Sequence, residues 1–559
     1  MRSRRKHRYR TGLIAVVAVV VLAALAAGTF LVKRYAPSKE WMDGYKYFEV
    51  DSNTDKTFVI IDNKSYSDIG VMRDDVLYLP VDFVSDYINV RFYYDKESNA
   101  VLYTDDRRTY TYEPDSTGYK DSDGNTYDSE YKIACEIDGT MYIAFQYVAD
   151  YTNCTYAYGS KPSRLSVNMI NGEVSRVTAK KDMYIRYRGG VKSDILEQIN
   201  KGDSVYYVES FDDWIKVISA TGYTGYVKSS DVSEVYTEVP DNTYESKYAG
   251  LSISQKVKLG WFQVAGTAGN DNYTQLTGLS NINVIAPTWY SITSENGSMS
   301  NYSSTSWVNA MHNRGLQVWP LVDDFNKSVD FKALYSSRTA RKTMIDTRAY
   351  GYDGINLDLE NVKSDYAKDF LQFVRELSVE CHKNNIILST DNYKPEAYNS
   401  CYNLKEQSDY VDYAIVMAYD EHYAGSEAGS VASLPFVKEA VEDMTALVPA
   451  DKVVVGIPFF TRIWSVSQTS TTSSAVGMQA AIDELNKDGQ TAIWNDDAGQ
   501  YVCSYDRNGV TRKIWFEEDK SIEEKLKVVV DNNTAGIAVW KLGLEKASVW
   551  NVINQYIND

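Results

Sequence analysis

A multidomain chain ending in a closed parallel (β/α)8 barrel is the fold class this sequence predicts. Three observations carry that reading. Across residues 249–559, apolar strand-like runs alternate with amphipathic helical ones such as 365–382. Residues 353–360 read Asp-Gly-Ile-Asn-Leu-Asp-Leu-Glu and sort cleanly by face when read as a strand. Before residue 249 the texture changes to short strands, glycine turns and an internal repeat. This part predicts an N-terminal α+β repeat module, a small all-β barrel and one transmembrane helix.

The N-terminus opens with Arg2, Arg4, Arg5, Lys6, Arg8 and Arg10, the basic tail of segment 1–11. An uncharged apolar run follows over 12–32. As a helix it reaches about 30 Å, enough to cross a bilayer with the basic tail in the cytoplasm and the rest outside. A cleaved signal peptide is the competing reading, because Ala24-Leu25-Ala26 offers a small-residue cleavage site. Residues 36–41 form a short linker.

Within 46–172 the chain repeats itself. Tyr78-Leu79-Pro80-Val81-Asp82-Phe83-Val84-Ser85-Asp86-Tyr87 aligns with Tyr142-Ile143-Ala144-Phe145-Gln146-Tyr147-Val148-Ala149-Asp150-Tyr151. The offset is 64 residues (142 minus 78) and persists through Asn89/Asn153, Phe92/Tyr156 and Tyr94/Tyr158. Each copy predicts a short amphipathic helix followed by strands such as 100–104. The pattern resembles the N-terminal domain of copper amine oxidases, a packing or adhesion module. His7, His312, His382 and His422 are scattered, so no copper or zinc cluster is expected.

Residues 174–236 carry Met183-Tyr184-Ile185-Arg186, Lys201-Gly202-Asp203-Ser204-Val205, Trp214-Ile215-Lys216-Val217 and Gly222-Tyr223-Thr224-Gly225-Tyr226-Val227. This order resembles a bacterial SH3-like domain, with glycines at turns and alternating apolar residues filling a small barrel. Such domains in wall enzymes hold the peptidoglycan peptide or serve as spacers. Polar residues 240–248 read as the linker to the last domain.

The eight candidate barrel strands are 257–264, 282–288, 316–322, 354–360, 386–390, 413–419, 453–459 and 536–540. Residues 464–525 hold an insertion, with a hairpin at 501–504 and 510–515 and a returning helix at 521–531. In the fourth strand, Ile355, Leu357 and Leu359 share one face, while Asn356, Asp358 and Glu360 share the other. A carboxylate-rich inner face is costly unless it lines a wet cavity. Two acids on one strand face repel, which raises the proton affinity of at least one, as a general acid needs.

The octapeptide resembles the Asp-Gly-x-Asp-x-Asp-x-Glu signature of glycoside hydrolase family 18, the chitinase-like hydrolases. Asp353, Gly354, Asp358 and Glu360 match it; Asn356 stands where many members carry Asp. Met417-Ala418-Tyr419-Asp420 resembles the family's sixth-strand motif, and Trp540 its eighth-strand tryptophan. The resemblance implies substrate-assisted hydrolysis, an exception to the two-carboxylate scheme. Glu360 would be acid and then base. Asp358 would orient the sugar's acetamido group, Tyr419 would bond that group, and Trp540 would stack under the sugar. Asp420 and Met417 would shape the pocket. Asn356 is expected to hydrogen-bond Asp358 without sharing a proton. No cofactor is implied.

Composition is consistent with this. With 58 Lys+Arg against 76 Asp+Glu, the formal charge is −18, which argues against nucleic acid as partner. The 46 Tyr and 11 Trp offer faces that suit sugar rings as well as cores. Cys135, Cys154, Cys381, Cys401 and Cys503 show no paired spacing, though a Cys135–Cys154 bridge fits one domain. Residues 390–395 and 421–426 resemble the bacterial wall and spore-germination branch. The expected substrate is therefore an N-acetylglucosamine-containing polysaccharide, peptidoglycan ahead of chitin-like chains. A silent wall-binding protein on the same barrel is the reading from a different class.

Overall fold

A computed structural model describes residues 2–170, 172–240, 244, 250–345 and 351–557, with backbone only for 2–11, 31, 32 and 35. The side chains of the basic tail and most of the predicted 240–248 linker lie outside the described residues. The first helix runs Arg2–Tyr35 and contains one apolar stretch, Gly12–Phe30, none of it buried. Its length and composition suit a membrane span, and a signal sequence passes the same test.

The chain divides into two compact units. One is Met1–Asn89 with Tyr131–Glu245; the other is Val90–Glu130 with Ser246–Asp559. The first unit holds a seven-stranded sheet ordered Cys154–Ser160, Ser163–Met169, Thr57–Ile61, Lys64–Arg73, Val76–Pro80, Thr140–Ala144, Ala134–Ile137. The two repeats meet at its fifth and sixth strands, antiparallel, with Leu79 opposite Ile143. Under the 64-residue offset these are equivalent positions, so the copies pair about a local pseudo-twofold. Their helices are Val81–Tyr87 and Phe145–Asp150. Cys135 and Cys154 sit on the two opposite edge strands of this sheet, so no bridge joins them. The same unit contains a second, small all-β sheet from Val174–Thr178 to Tyr236–Glu238 around Val177, Ile185, Leu196, Val217 and Val227. Its Ser219–Tyr223 turn places Gly222 at φ +90°, a left-handed conformation that costs glycine little.

In the second unit, eight parallel strands close a barrel. They are Val257–Phe262, Val284–Ile292, the broken third strand Gln317–Val318 and Leu321–Asp323, Gly354–Asp358, Ile387–Tyr393, Tyr413–Met417, Val453–Pro458 and Gly536–Trp540. The first strand pairs with both the second and the eighth, which closes the ring. Inside lie Leu259, Trp261, Trp319, Ile415 and Ala538; outside, Leu357 and Leu359 pack against Phe370, Val374 and Leu377 of helix Ala367–Lys383. The insertion before the last strand is a five-stranded sheet with helix Met478–Lys487. It begins at Phe460, earlier than the predicted 464, and ends in the hairpin Gln500–Arg507 and Val510–Phe516.

The 46–172 module expected from sequence is not one compact body. Residues 90–130, which follow the first repeat helix, form a separate five-stranded sheet packed on the barrel's outer helices. The reason is charge. Arg91 Nε lies 3.2 Å from Glu406 Oε1 and also pairs with Asp409, while Arg375 reaches the same Glu406 at 2.7 Å. Tyr93 donates to Asp369 at 2.6 Å, and Tyr410 donates to the Thr104 carbonyl at 2.7 Å. Arg91, Arg375 and Glu406 are nearly buried. Glu406→Ala therefore leaves two guanidiniums short of a carboxylate. A loss of about 3–5 kcal/mol is expected in urea unfolding of the barrel; a change below about 1 kcal/mol would show the network to be a solvated surface set.

Candidate active site

The fourth strand ends at Asp358, two residues earlier than predicted, but the alternation continues to Glu360. Asn356 is fully buried and Asp358 is 5% exposed; both point into the barrel, while Glu360 stands at its rim. The strand begins where no added Cβ would fit: at Gly354 it would fall 2.6 Å from the Trp319 indole. Asp353, at the opposite end from the rim, accepts from the Val318 backbone N–H and bonds His312, each at 2.8 Å. These two motif residues thus position the strand and lie outside the cleft.

A cleft of about 640 Å³ opens at the strands' C-terminal ends. It brings together Asp358, Glu360, Met417, Tyr419, Asp420 and Trp540 from the fourth, sixth and eighth strands. Trp261 sits beneath, edge-to-face with Trp540 at 5.8 Å and with Tyr419 at 6.4 Å. Asp420 takes a left-handed backbone, φ 59°.

Asn356 corrects one expectation. Its amide donates to Asp391 Oδ1 at 2.8 Å and to Ser389 Oγ at 3.1 Å, and its carbonyl accepts from the Trp261 indole at 2.9 Å. Its amide hydrogens thus go to the fifth strand instead of Asp358. The geometry explains this: residues two apart on one strand are separated by about 6.5 Å, whereas neighbouring strands lie about 4.8 Å apart.

Several residues were not assigned to the site from the sequence, although 390–395 and 421–426 stood out as runs. Ser389, Asp391 and Tyr393 form a second inward row, and the Tyr393 hydroxyl donates to Glu360 Oε2. Asp324, fully buried after the third strand, accepts the backbone N–H groups of Glu360 and Asn361, each at 2.9 Å. Phe325, Tyr398 and Tyr423 expose aromatic faces along the cleft.

Burial raises the carboxyl of Asp358 well above its ordinary range, and the negative fields of Asp391 and Glu360 add to it. Burial also raises Glu360, opposed by the Tyr393 hydrogen bond and by one to Asp358. Asp391 is raised by burial, with the Asn356 amide pulling the other way. Asp358 Oδ1 is buried and has no hydrogen-bond partner among the described residues. The arrangement favours the protonated form of Glu360 and leaves one carboxylate oxygen of Asp358 open to a donor from a bound molecule.

These features describe a barrel glycosidase. Residues 259–545, just over half the chain, match the model for glycosyl hydrolases family 18, and the chain belongs to that family. Residues 181–233 match the bacterial SH3 domain. The uncharacterized glycosylase YvbX of Bacillus subtilis is 25% identical over 330 residues, which cover 56% of this chain and 92% of that protein. The cortical fragment-lytic enzyme of Bacillus subtilis is 23% identical over 241 residues, 41% of this chain and 56% of that one. Among solved structures, the Bacillus cereus spore cortex-lytic enzyme SleL superposes with a TM-score of 0.50 at 18% identity, covering 57% of this chain and 79% of that one. At that identity the likeness speaks for the fold alone.

Proposed function

We propose that this glycosidase cuts β-1,4 bonds that follow N-acetylglucosamine in peptidoglycan, keeping the anomeric configuration. The observation that carries the reading is the pairing of Glu360 with Asp358, whose buried Oδ1 is open beside it. Glu360 gives its proton to the glycosidic oxygen as the C1–O bond breaks. The acetamido oxygen of the same sugar bonds to C1, forming an oxazolinium. Asp358 accepts the acetamido N–H and balances the positive charge. Tyr419 donates its hydroxyl to the acetamido side, and Trp540 stacks under the ring. Asp420 and Met417 shape the pocket. Water then attacks C1 from the side the leaving group vacated, Glu360 takes its proton, and the acetamido oxygen is released.

The choice of peptidoglycan rests on the relatives named for spore cortex lysis and on the wall-type accessory domain. The apolar helix Gly12–Phe30 supports a membrane anchor with the barrel outside the cell. Digestion of purified wall, spore cortex and chitin side by side, with mass spectrometry of the products, tests the substrate. Wall or cortex fragments ending in reducing N-acetylglucosamine are expected. Release of chitin oligosaccharides alone would move the substrate to chitin. Recovery of the chain from the membrane with its N-terminus intact is expected; a chain cut near Ala26 and free in the medium would contradict the anchor.

A further inference from the structure

Residue 356 is an amide, yet the floor of the site is not short of a carboxylate. Asp391 on the adjacent fifth strand is buried, inward-facing and tied to Asn356 at 2.8 Å. Paired registers run from Gly354 with Ile387 to Leu357 with Thr390, so the next step sets Asp391 beside Asp358. We propose that in this chain Asp391 is the positioning carboxylate against which the Asp358–Glu360 pair holds its proton, with Asn356 as the bridge that fixes it. The proposal rests on the reading of Glu360 as acid.

The chemistry follows from who faces whom. Asn356 can only give Asp391 an N–H, which favours its ionised form. Burial opposes that form and raises Asp391 well above its ordinary range, so negative charge on either of Asp391 and Asp358 disfavours charge on the other, and a proton is held in the cluster beside Glu360. Asp391 makes the largest charge contribution at Asp358, ahead of Glu360, Asp324 and Asp323. The other titratable groups facing the pair are Tyr393 from the fifth strand, Tyr419 and Asp420 from the sixth, and Tyr402. Two cations stand nearby: Lys394 lines the same cleft but is paired with Glu396, Glu439 and Asp443, and the field of Arg462 falls on Asp420. When Glu360 protonates the leaving oxygen, the pair takes up the negative charge, and Asp358 turns it toward the oxazolinium.

The test is the pH dependence of kcat/KM on an oligosaccharide with an unactivated sugar leaving group. Four proteins are compared: wild type, Asp391→Asn, the exchange Asn356→Asp/Asp391→Asn, and Glu360→Gln. Loss of the Asp391 charge lowers the proton affinity of the pair, so the basic limb moves to lower pH. Asp391→Asn is expected to move it by about one pH unit and to lower kcat about tenfold or more, with KM little changed. The exchange restores a carboxylate on the other strand and is expected to recover most of both. An unchanged basic limb in Asp391→Asn, with Glu360→Gln inactive, would overturn this proposal alone. Activity surviving in Glu360→Gln would overturn the acid assignment and this proposal with it. Should Asp391→Asn not fold, carboxyl ¹³C titration of the wild type decides. Linked, two-step titration of Asp391 and Asp358 supports the proposal, and independent single steps overturn it.

Discussion

Glu360→Gln is expected to lower kcat on an unactivated oligosaccharide by about 10²–10⁴-fold, the usual worth of general acid help. The variant keeps the shape and the acceptor oxygen that Tyr393 bonds, and the backbone N–H held by Asp324 is untouched. Its melting temperature should therefore stay close to wild type, and far-ultraviolet circular dichroism should be unchanged. An aryl glycoside, whose leaving group needs little protonation, should lose much less. That contrast separates a missing proton from a distorted cleft, which would slow both substrates alike. Equal losses on the two substrates would assign Glu360 a positioning role.

The barrel and half of the site were legible because two physical constraints left a clean record. A strand between helices and a wet cavity must be apolar on one face only, and residues 355–360 obey that strictly. Tyr419 and Trp540 end strands whose apolar runs mark the same rim. The fifth strand obeys the same rule, yet Thr390 and Asn392 are also polar, so the inward row Ser389, Asp391, Tyr393 does not stand out. Asn392 Nδ2 donates to the Thr390 hydroxyl and carbonyl, each at 3.1 Å, so these two side chains pair with each other, while Asn392 Oδ1 has no hydrogen-bond partner among the described residues. Asp324 was hidden for another reason. It follows a strand interrupted at Trp319-Pro320, where proline has no N–H to give the ladder.

The packing of residues 90–130 on the barrel leaves no local pattern, because its partners lie more than two hundred residues away. A trace exists between the repeats. Arg91, Tyr93, Asp95 and Glu97 of the first copy correspond to Thr155, Ala157, Gly159 and Lys161 of the second. The guanidinium, phenol and carboxylates that bind the barrel helices have no counterpart in the copy that stays in the first unit's sheet. Divergence between equivalent positions thus marked which copy had acquired a partner.

The central claim is that the substrate's own 2-acetamido oxygen is the nucleophile, held by Asp358 and driven by the Glu360 proton. It predicts a dependence on the sugar that no protein nucleophile imposes. The most direct measurement compares two oligosaccharides identical except at carbon 2 of the sugar whose bond is cut. One carries the acetamide, the other a free amine. The acetylated chain should be cleaved to a product of retained configuration. The deacetylated chain should bind and remain uncut, at least about 10³-fold slower, since intramolecular attack replaces a far weaker bimolecular one. Comparable cleavage of both chains, or a covalent sugar adduct on any carboxylate of the cleft, would contradict the account.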